Sequence, residues 1–326
     1  MTFKQNWEKT DEQVTLSCDT ITAMVEQAFP DNQLDAYELI SGGCANLNLK
    51  INLKWGDALF ILRVYLRDKD AAYREQKLGL LLKPAVPVPQ VYFIGDQDDY
   101  RFAITEFLPG IPLRDLLLGD EPCDLSTIMH ETGMMLAKIQ GYHFSTAGFF
   151  DKYLHIEQAT SQDGCIKFAH ECLKNPTVLN CLRDETIVKV GSFFEKYKTL
   201  FPDQQEANLV HADYDPANIL VNWVDGSWKI TGILDWEFAF SGSTLWDVAN
   251  MLRYAHHMPA TYEESFLQGL QKIVMLPSNW RITAHLLNII SLLDCLGRCQ
   301  PDKRPNQCMD ICGLIDHILI ELGEAL

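Results

Sequence analysis

His211-Ala-Asp-Tyr-Asp-Pro-Ala-Asn-Ile-Leu220, continued after a short gap by Ile233-Leu-Asp-Trp-Glu237, holds the densest set of reactive side chains in the chain. Between these two pieces the apolar run Asn218–Trp223 and the alternating run Trp228–Leu234 flank Asp225-Gly226, a dipeptide that favours a two-residue hairpin turn. With those two residues as the loop, Val224 faces Ser227, Val221 faces Ile230 and Asn218 faces Ile233. Asp235 then lies two residues further along the same face, diagonal to Asn218. Diagonal neighbours are roughly 7–8 Å apart at the backbone. Two short oxygen-bearing side chains can close that span on one Mg²⁺, at about 2.0–2.1 Å per ligand bond.

Asp213 stands five residues before Asn218, in a loop stiffened by Pro216, where its carboxylate can accept the proton of an incoming hydroxyl. His211 is expected to brace that loop. Taken singly these residues have ordinary explanations: His-x-Asp is common on surface loops, Asp213 and Asp215 suit turn caps, and Asp235 suits a strand end. Their spacing, combined with the hairpin register, is what favours a base beside a metal pair, an arrangement in which catalysis is mostly positioning and charge neutralisation.

This segment resembles the aminoglycoside phosphotransferase and choline kinase family, the small-molecule branch of the protein-kinase-like fold. The resemblance rests on His211-x-Asp213-x-x-x-x-Asn218, on Asp235-Trp236-Glu237 and on Gly242-Ser-Thr-Leu-Trp-Asp247. It continues upstream through Ile40-Ser-Gly-Gly-Cys-Ala-Asn46, Phe60-Ile-Leu-Arg-Val64, Pro87-Val-Pro-Gln-Val91 and Thr105-Glu-Phe-Leu-Pro-Gly110. It implies an α+β fold of two lobes: an N-lobe over residues 1–108, a small antiparallel sheet with one helix, and a larger, mostly helical C-lobe over 109–326. It implies ATP as phosphoryl donor, with GTP left open, and Mg²⁺ held by Asn218 and Asp235. Asp213 and His211 form the catalytic pair. Gly42, Gly43 and Asn46 cover the phosphates, Arg63 and Glu75 position them, and the backbone of Glu106 and Leu108 reads the base.

The residues agree with that plan on their own terms. Leu47–Leu53 and Ala58–Val64, separated by Lys54-Trp-Gly-Asp57, read as a hairpin opened by Gly42 and Gly43, whose backbone can approach a phosphate closely. Asp68 and Asp70 suit a helix start and Pro84 a helix stop. Glu75 shares the apolar face of that helix with Leu78 and Leu82, and so requires a cation. Arg63 is the candidate. It stands where the kinase pattern carries Lys, a departure, because a planar guanidinium is not a point charge. An ordinary surface pair is the alternative. Arg101–Leu108 ends at Pro109-Gly110 and reads as a strand leading to the interlobe connection. Leu125–Ile139, Glu185–Leu200, Leu245–His256, Tyr262–Val274, Ile282–Leu296 and Met309–Leu322 have helical periodicity.

Composition narrows the function classes. The 326 residues include 27 Lys and Arg against 44 Asp and Glu, a net charge of −17, which disfavours nucleic-acid binding and admits a small, cationic hydroxyl substrate. Ten scattered cysteines and a polar Met1–Gln13 segment suggest a reducing cytoplasm. No apolar run is long enough for a membrane. Cys295/Cys299 and Cys308/Cys312 sit at helical spacing and read as core thiols, since zinc spacing is missing. The favoured activity is phosphotransfer to a small-molecule hydroxyl of amino alcohol, sugar or aminoglycoside type. The alternative is a silent nucleotide-binding regulator. A protein kinase fits less well, because Asp-Trp-Glu replaces Asp-Phe-Gly and no Ala-Pro-Glu follows.

Overall fold

A computed structural model describes residues 3–8, 16–40 and 46–324. A five-stranded antiparallel sheet is built from β1 (Leu34–Leu39), β2 (Asn46–Leu53), β3 (Leu59–Tyr65), β4 (Val91–Gln97) and β5 (Tyr100–Glu106), in the order β1-β2-β3-β5-β4. Alternation decides its two faces. Leu47, Leu49 and Ile51 on β2, with Leu62 and Val64 on β3, point to one side and bury Ile21, Met24 and Val25 of helix α1 (Cys18–Ala28). Arg63 and Tyr65, one residue out of phase, therefore face the other side, toward helix α2 (Ala71–Leu82). Ser17 starts α1 by accepting from the Thr20 amide.

After β5 the chain turns at Pro109-Gly110 into the short strand β6 (Ile111–Pro112) and helix α3 (Leu113–Leu118). Gly110 is needed there: its φ is +144°, and a Cβ would lie 2.7 Å from the Val221 carbonyl oxygen. Helix α4 (Leu125–Ile139) follows. Strands β7 (Gly148–Phe150) and β8 (Ile156–Ala159) precede helices α5 (Gln162–Leu173), α6 (Pro176–Cys181) and α7 (Asp184–Lys196). Next come β9 (Asn208–Val210), the hairpin β10 (Ile219–Val224) and β11 (Ser227–Ile233), and β12 (Phe240–Gly242). Helices α8 (Leu245–Leu252), α9 (Ala260–Leu270), α10 (Trp280–Gly297) and α11 (Pro305–Glu324) complete the larger lobe.

The core of this lobe centres on α10, whose Leu286, Leu287, Ile289, Ile290 and Leu293 are fully buried. Helices α4 and α9 approach until their backbones touch. A Cβ on Gly133 would sit 2.0 Å from the Phe266 carbonyl oxygen, and one on Gly269 would sit 2.0 Å from that of His130. Cys299 and Cys308 are buried with their sulfurs 2.8 Å apart. Among the described residues, no helix is long and apolar enough to cross a membrane.

The hairpin turn is the expected one. Asp225 (φ 49°) and Gly226 (φ 80°) both lie in the left-handed region that a tight two-residue turn demands. Val224 pairs with Ser227 and Val221 with Ile230. Beyond that point the expectation fails by one residue: a bulge near Leu220 makes Ile219, not Asn218, the partner of Ile233. An extra residue on one strand is the usual cause of such a shift. Asn218 meets Leu234 instead, accepting from its amide at 2.9 Å.

Candidate active site

The loop between β9 and β10 is held from several sides. Ala212 has φ 72°, an unfavourable backbone for a residue with a Cβ. Asp247, fully buried on α8, offsets that strain: its two carboxylate oxygens accept from the His211 and Ala212 amides, both at 2.9 Å, while Asn250 donates to the Ala212 carbonyl at 2.7 Å. Burial pushes the Asp247 carboxyl up to about 7, against the pull of those two amides. The Tyr214 hydroxyl donates to the Thr132 carbonyl and anchors the loop to α4.

His211 is fully buried, and both ring nitrogens are committed. The Leu234 carbonyl can only accept, so Nε2 carries the proton and donates to it at 2.9 Å. The Asp213 amide can only donate, so Nδ1 accepts at 3.2 Å. Burial also holds the ring below its ordinary pKa. His211 thus fastens Asp213 to the segment that carries Asp235.

Asp213 and Asn218 are brought together. The Asn218 amide nitrogen donates to the Asp213 backbone oxygen and to Asp213 Oδ2, each at 2.9 Å, which turns the amide oxygen the other way. Asp215 accepts from the Ala217 amide at 2.8 Å and closes the turn. Asp213 Oδ1 accepts from Lys4 Nζ at 2.9 Å, and the same ammonium pairs with Asp215. Burial alone would raise the Asp213 carboxyl, but the Lys4 ammonium more than offsets it and holds the group at about 2.

Asp235 follows β11 in a left-handed conformation (φ 69°). Arg63 Nη2 donates to Asp235 Oδ1 at 2.5 Å and lies 3.1 Å from Glu75 Oε1 and 3.9 Å from Glu237 Oε2. The Tyr65 hydroxyl donates to Glu75 at 2.5 Å. Burial raises the Glu75 carboxyl, with Arg63 opposing. Burial, and then the Asp235 charge, push Glu237 up to about 7. Asn46 donates to Glu237 Oε2 at 2.7 Å, tying the start of β2 to the segment after β11. Glu237 Oε1 is buried without a partner among the described residues.

Glu106 ends β5 opposite Phe60, and its amide donates to the Gln90 carbonyl at 2.8 Å. Leu108 rests against Gly232 of β11. Gly42 and Gly43 lie outside the described residues. Asp213 and Asn218 therefore form one group, and Asp235, Arg63, Glu75, Glu237 and Asn46 a second, with His211 joining the two through Leu234. Reading the sequence missed Lys4, which lies in a polar segment without a motif. It also left Glu237 without a role, although its place two residues after Asp235 is a usable signal.

A carboxylate backed by an asparagine, beside a second carboxylate held by a buried arginine–glutamate pair, on a small antiparallel sheet above a helical lobe, defines a protein-kinase-like phosphotransferase. Residues 36–282 match the model of the phosphotransferase enzyme family, and the chain belongs to that family. It is an enzyme of the small-molecule kinase type. No curated protein matches the sequence. Among solved structures, the aminoglycoside phosphotransferase APH(4)-Ia is similar at 19% identity and a TM-score of 0.72, over 93% of this chain and 98% of that one. APH(2")-IIia, solved with GDP and kanamycin, gives 17% identity and a TM-score of 0.69 over 92% and 98%. The macrolide 2'-phosphotransferase MphH from Brachybacterium faecium gives 15% identity and 0.61 over 91% and 98%.

Proposed function

We propose that this enzyme transfers the γ-phosphoryl group of ATP or GTP to a hydroxyl of a small molecule of amino alcohol, sugar or aminoglycoside type, the nucleotide arriving with Mg²⁺. The observation that carries the reading is the pairing of Asp213 with Asn218 in a loop fixed by His211 and Asp247, adjacent to Asp235. Asp213 orients the acceptor hydroxyl and takes its proton. Asn218 and Asp235 offer oxygen donors to a hard divalent cation, the amide oxygen of Asn218 being turned away from Asp213. Mg²⁺ bound there supplies charge neutralisation of the phosphates.

Arg63, aligned by Glu75, holds phosphate oxygens; the phosphate contact expected of Gly42 and Gly43 falls outside the described residues. The backbone of Glu106 and Leu108 meets the base at the junction of a 1–108 N-lobe and a 109–326 C-lobe. The nucleotides in related structures support this reading, since a variant of APH(4)-Ia was solved with AMP-PNP and hygromycin B, and APH(2")-IIia with GDP. A reducing cytoplasm suits the free thiols.

The test is substrate-stimulated ADP or GDP release across amino alcohols, sugars and aminoglycosides, comparing wild type with Asp213→Asn and Asn218→Ala. Wild type turns over at least one acceptor. Asp213→Asn binds nucleotide but loses turnover, and Asn218→Ala binds Mg²⁺-nucleotide more weakly in calorimetry. Turnover of Asp213→Asn at the wild-type rate rules out its role as base, and unchanged affinity in Asn218→Ala rules out its role as ligand.

A further inference from the structure

The segment Phe3–Glu8 lies outside the stretch that matches the family, yet it reaches the centre of the catalytic loop. Three contacts away from the loop dock it. Phe3 is buried, with its ring centroid 5.1 Å from that of Tyr254 and 6.1 Å from that of Tyr262. Trp7 Nε1 donates to Asp310 on α11 at 2.8 Å. Glu8 accepts from the Asn306 and Gln307 amides, at 2.7 and 3.1 Å, at the open N-terminal turn of α11. Phe3 (φ 37°) and Lys4 (φ 65°) both hold left-handed backbone, an unfavourable turn that these anchors maintain and that aims Lys4 inward.

The Lys4 ammonium then sits where an acceptor has to arrive. Both oxygens of Asp213 carry donors, Lys4 on Oδ1 and the Asn218 amide on Oδ2. The second carboxylate met by Lys4, on Asp215, has a side chain only 7% exposed. Arg253, the nearby guanidinium, is taken up by Asn250, Asn288 and Ser291. A hydroxyl approaching Asp213 Oδ1 must displace the ammonium, and its departure leaves two carboxylates, one nearly buried, without a directly paired cation, since Arg253 acts on Asp213 only through space. Leaving a buried charge unpaired is costly. Exchanging one ammonium for another is not.

We propose that Lys4 is a specificity-determining residue: an internal cation bridging Asp213 and Asp215, which the acceptor displaces by setting an ammonium group of its own against Asp215 and its hydroxyl against Asp213 Oδ1. This rests on the phosphotransfer reading of the site. It makes neutral hydroxyl compounds poor acceptors even where their shape fits.

The test begins with Lys4→Ala and Lys4→Met, titrated with ethylammonium chloride and, at equal ionic strength, with sodium chloride, following Tm. Both variants lose Tm relative to wild type. Ethylammonium recovers most of the loss in Lys4→Ala, where the side-chain space is open, and sodium does not; wild type responds equally to the two salts. Equal responses of Lys4→Ala to the two salts overturn the subsite. Should the variants not fold, reductive methylation of Lys4 in wild type, read by mass spectrometry, puts the same question. Choline exposes Lys4 and its neutral isostere 3,3-dimethylbutan-1-ol leaves it protected; protection in both overturns displacement. Selective rescue with no nucleotide turnover on any amine-bearing alcohol removes the phosphotransfer reading and leaves the subsite. Turnover without selective rescue does the reverse.

Discussion

Arg63→Met is the sharpest perturbation of the second cluster. One guanidinium serves three carboxylates, at 3.1 Å from Glu75, 2.5 Å from Asp235 and 3.9 Å from Glu237, with side-chain exposures of 12%, 28% and 5%. Methionine fills much of the volume and removes the charge. Glu75 keeps the Tyr65 hydroxyl and Glu237 keeps the Asn46 amide, but neither partner is charged. Removing one side of a buried ion pair costs about 3–5 kcal/mol. At about 2 °C per kcal/mol for a protein of this size, Tm falls by about 6–10 °C.

The loss depends on pH in a defined direction. Burial already raises Glu75 and Glu237, the latter to about 7, with Arg63 in place, and its removal raises both further. A carboxyl whose folded pKa is raised destabilises the fold above that pKa and ceases to do so once the pH falls below its ordinary value. The deficit of Arg63→Met is therefore larger near pH 8 than near pH 5, growing as pH rises through the folded pKa of Glu237 near 7. Thermal unfolding of both proteins across that range measures it, and adding Glu75→Gln to Arg63→Met should recover part of the deficit. A deficit below about 1 kcal/mol near pH 8, the range of an exposed pair, refutes the reasoning, as does one that is the same at both ends of the range.

Gly133→Ala places a methyl group 2.0 Å from the Phe266 carbonyl oxygen and forces α4 and α9 apart. It should cost at least the ~1–3 kcal/mol typical of overpacking, measured by denaturant midpoint, because backbone and not a rotamer has to give way. Asp247→Asn tests a titration. The Asp247 carboxyl is raised to about 7, so its charge detracts from stability as pH rises from the ordinary carboxylate range to about 7. The stability of wild type minus that of Asp247→Asn should fall over that interval in paired denaturant curves, and a flat or rising difference contradicts the buried charge.

Much of the loop that carries Asp213 and Asn218 was legible because its geometry is local. Asp225-Gly226 dictates a turn, the turn dictates strand pairing, and five residues fix the reach from Asp213 to Asn218. The same logic assigned Glu75 to a buried helix face and demanded Arg63, because a two-residue strand period and a helical period each place a side chain without knowledge of the fold. It erred at the bulge near Leu220, where Ile219 and not Asn218 faces Ile233, since the propensity of neither strand announces an extra residue. Helix α1, missed in reading the sequence, carries a usable start signal in Ser17, whose hydroxyl accepts the Thr20 amide.

What the sequence determined by itself is therefore the kinase-like class, through its resemblance to a family, and the closeness of Asp213 to Asn218, set by short-range spacing. Tertiary structure alone decided which charges meet. Glu237 came to Asn46 from 191 residues away, and Lys4 came to Asp213 from 209. Contacts of that span depend on how lobes and helices pack, because burial of Phe3, Tyr254 and Tyr262 fixes where the ammonium stands, and no local period in a polar segment records it.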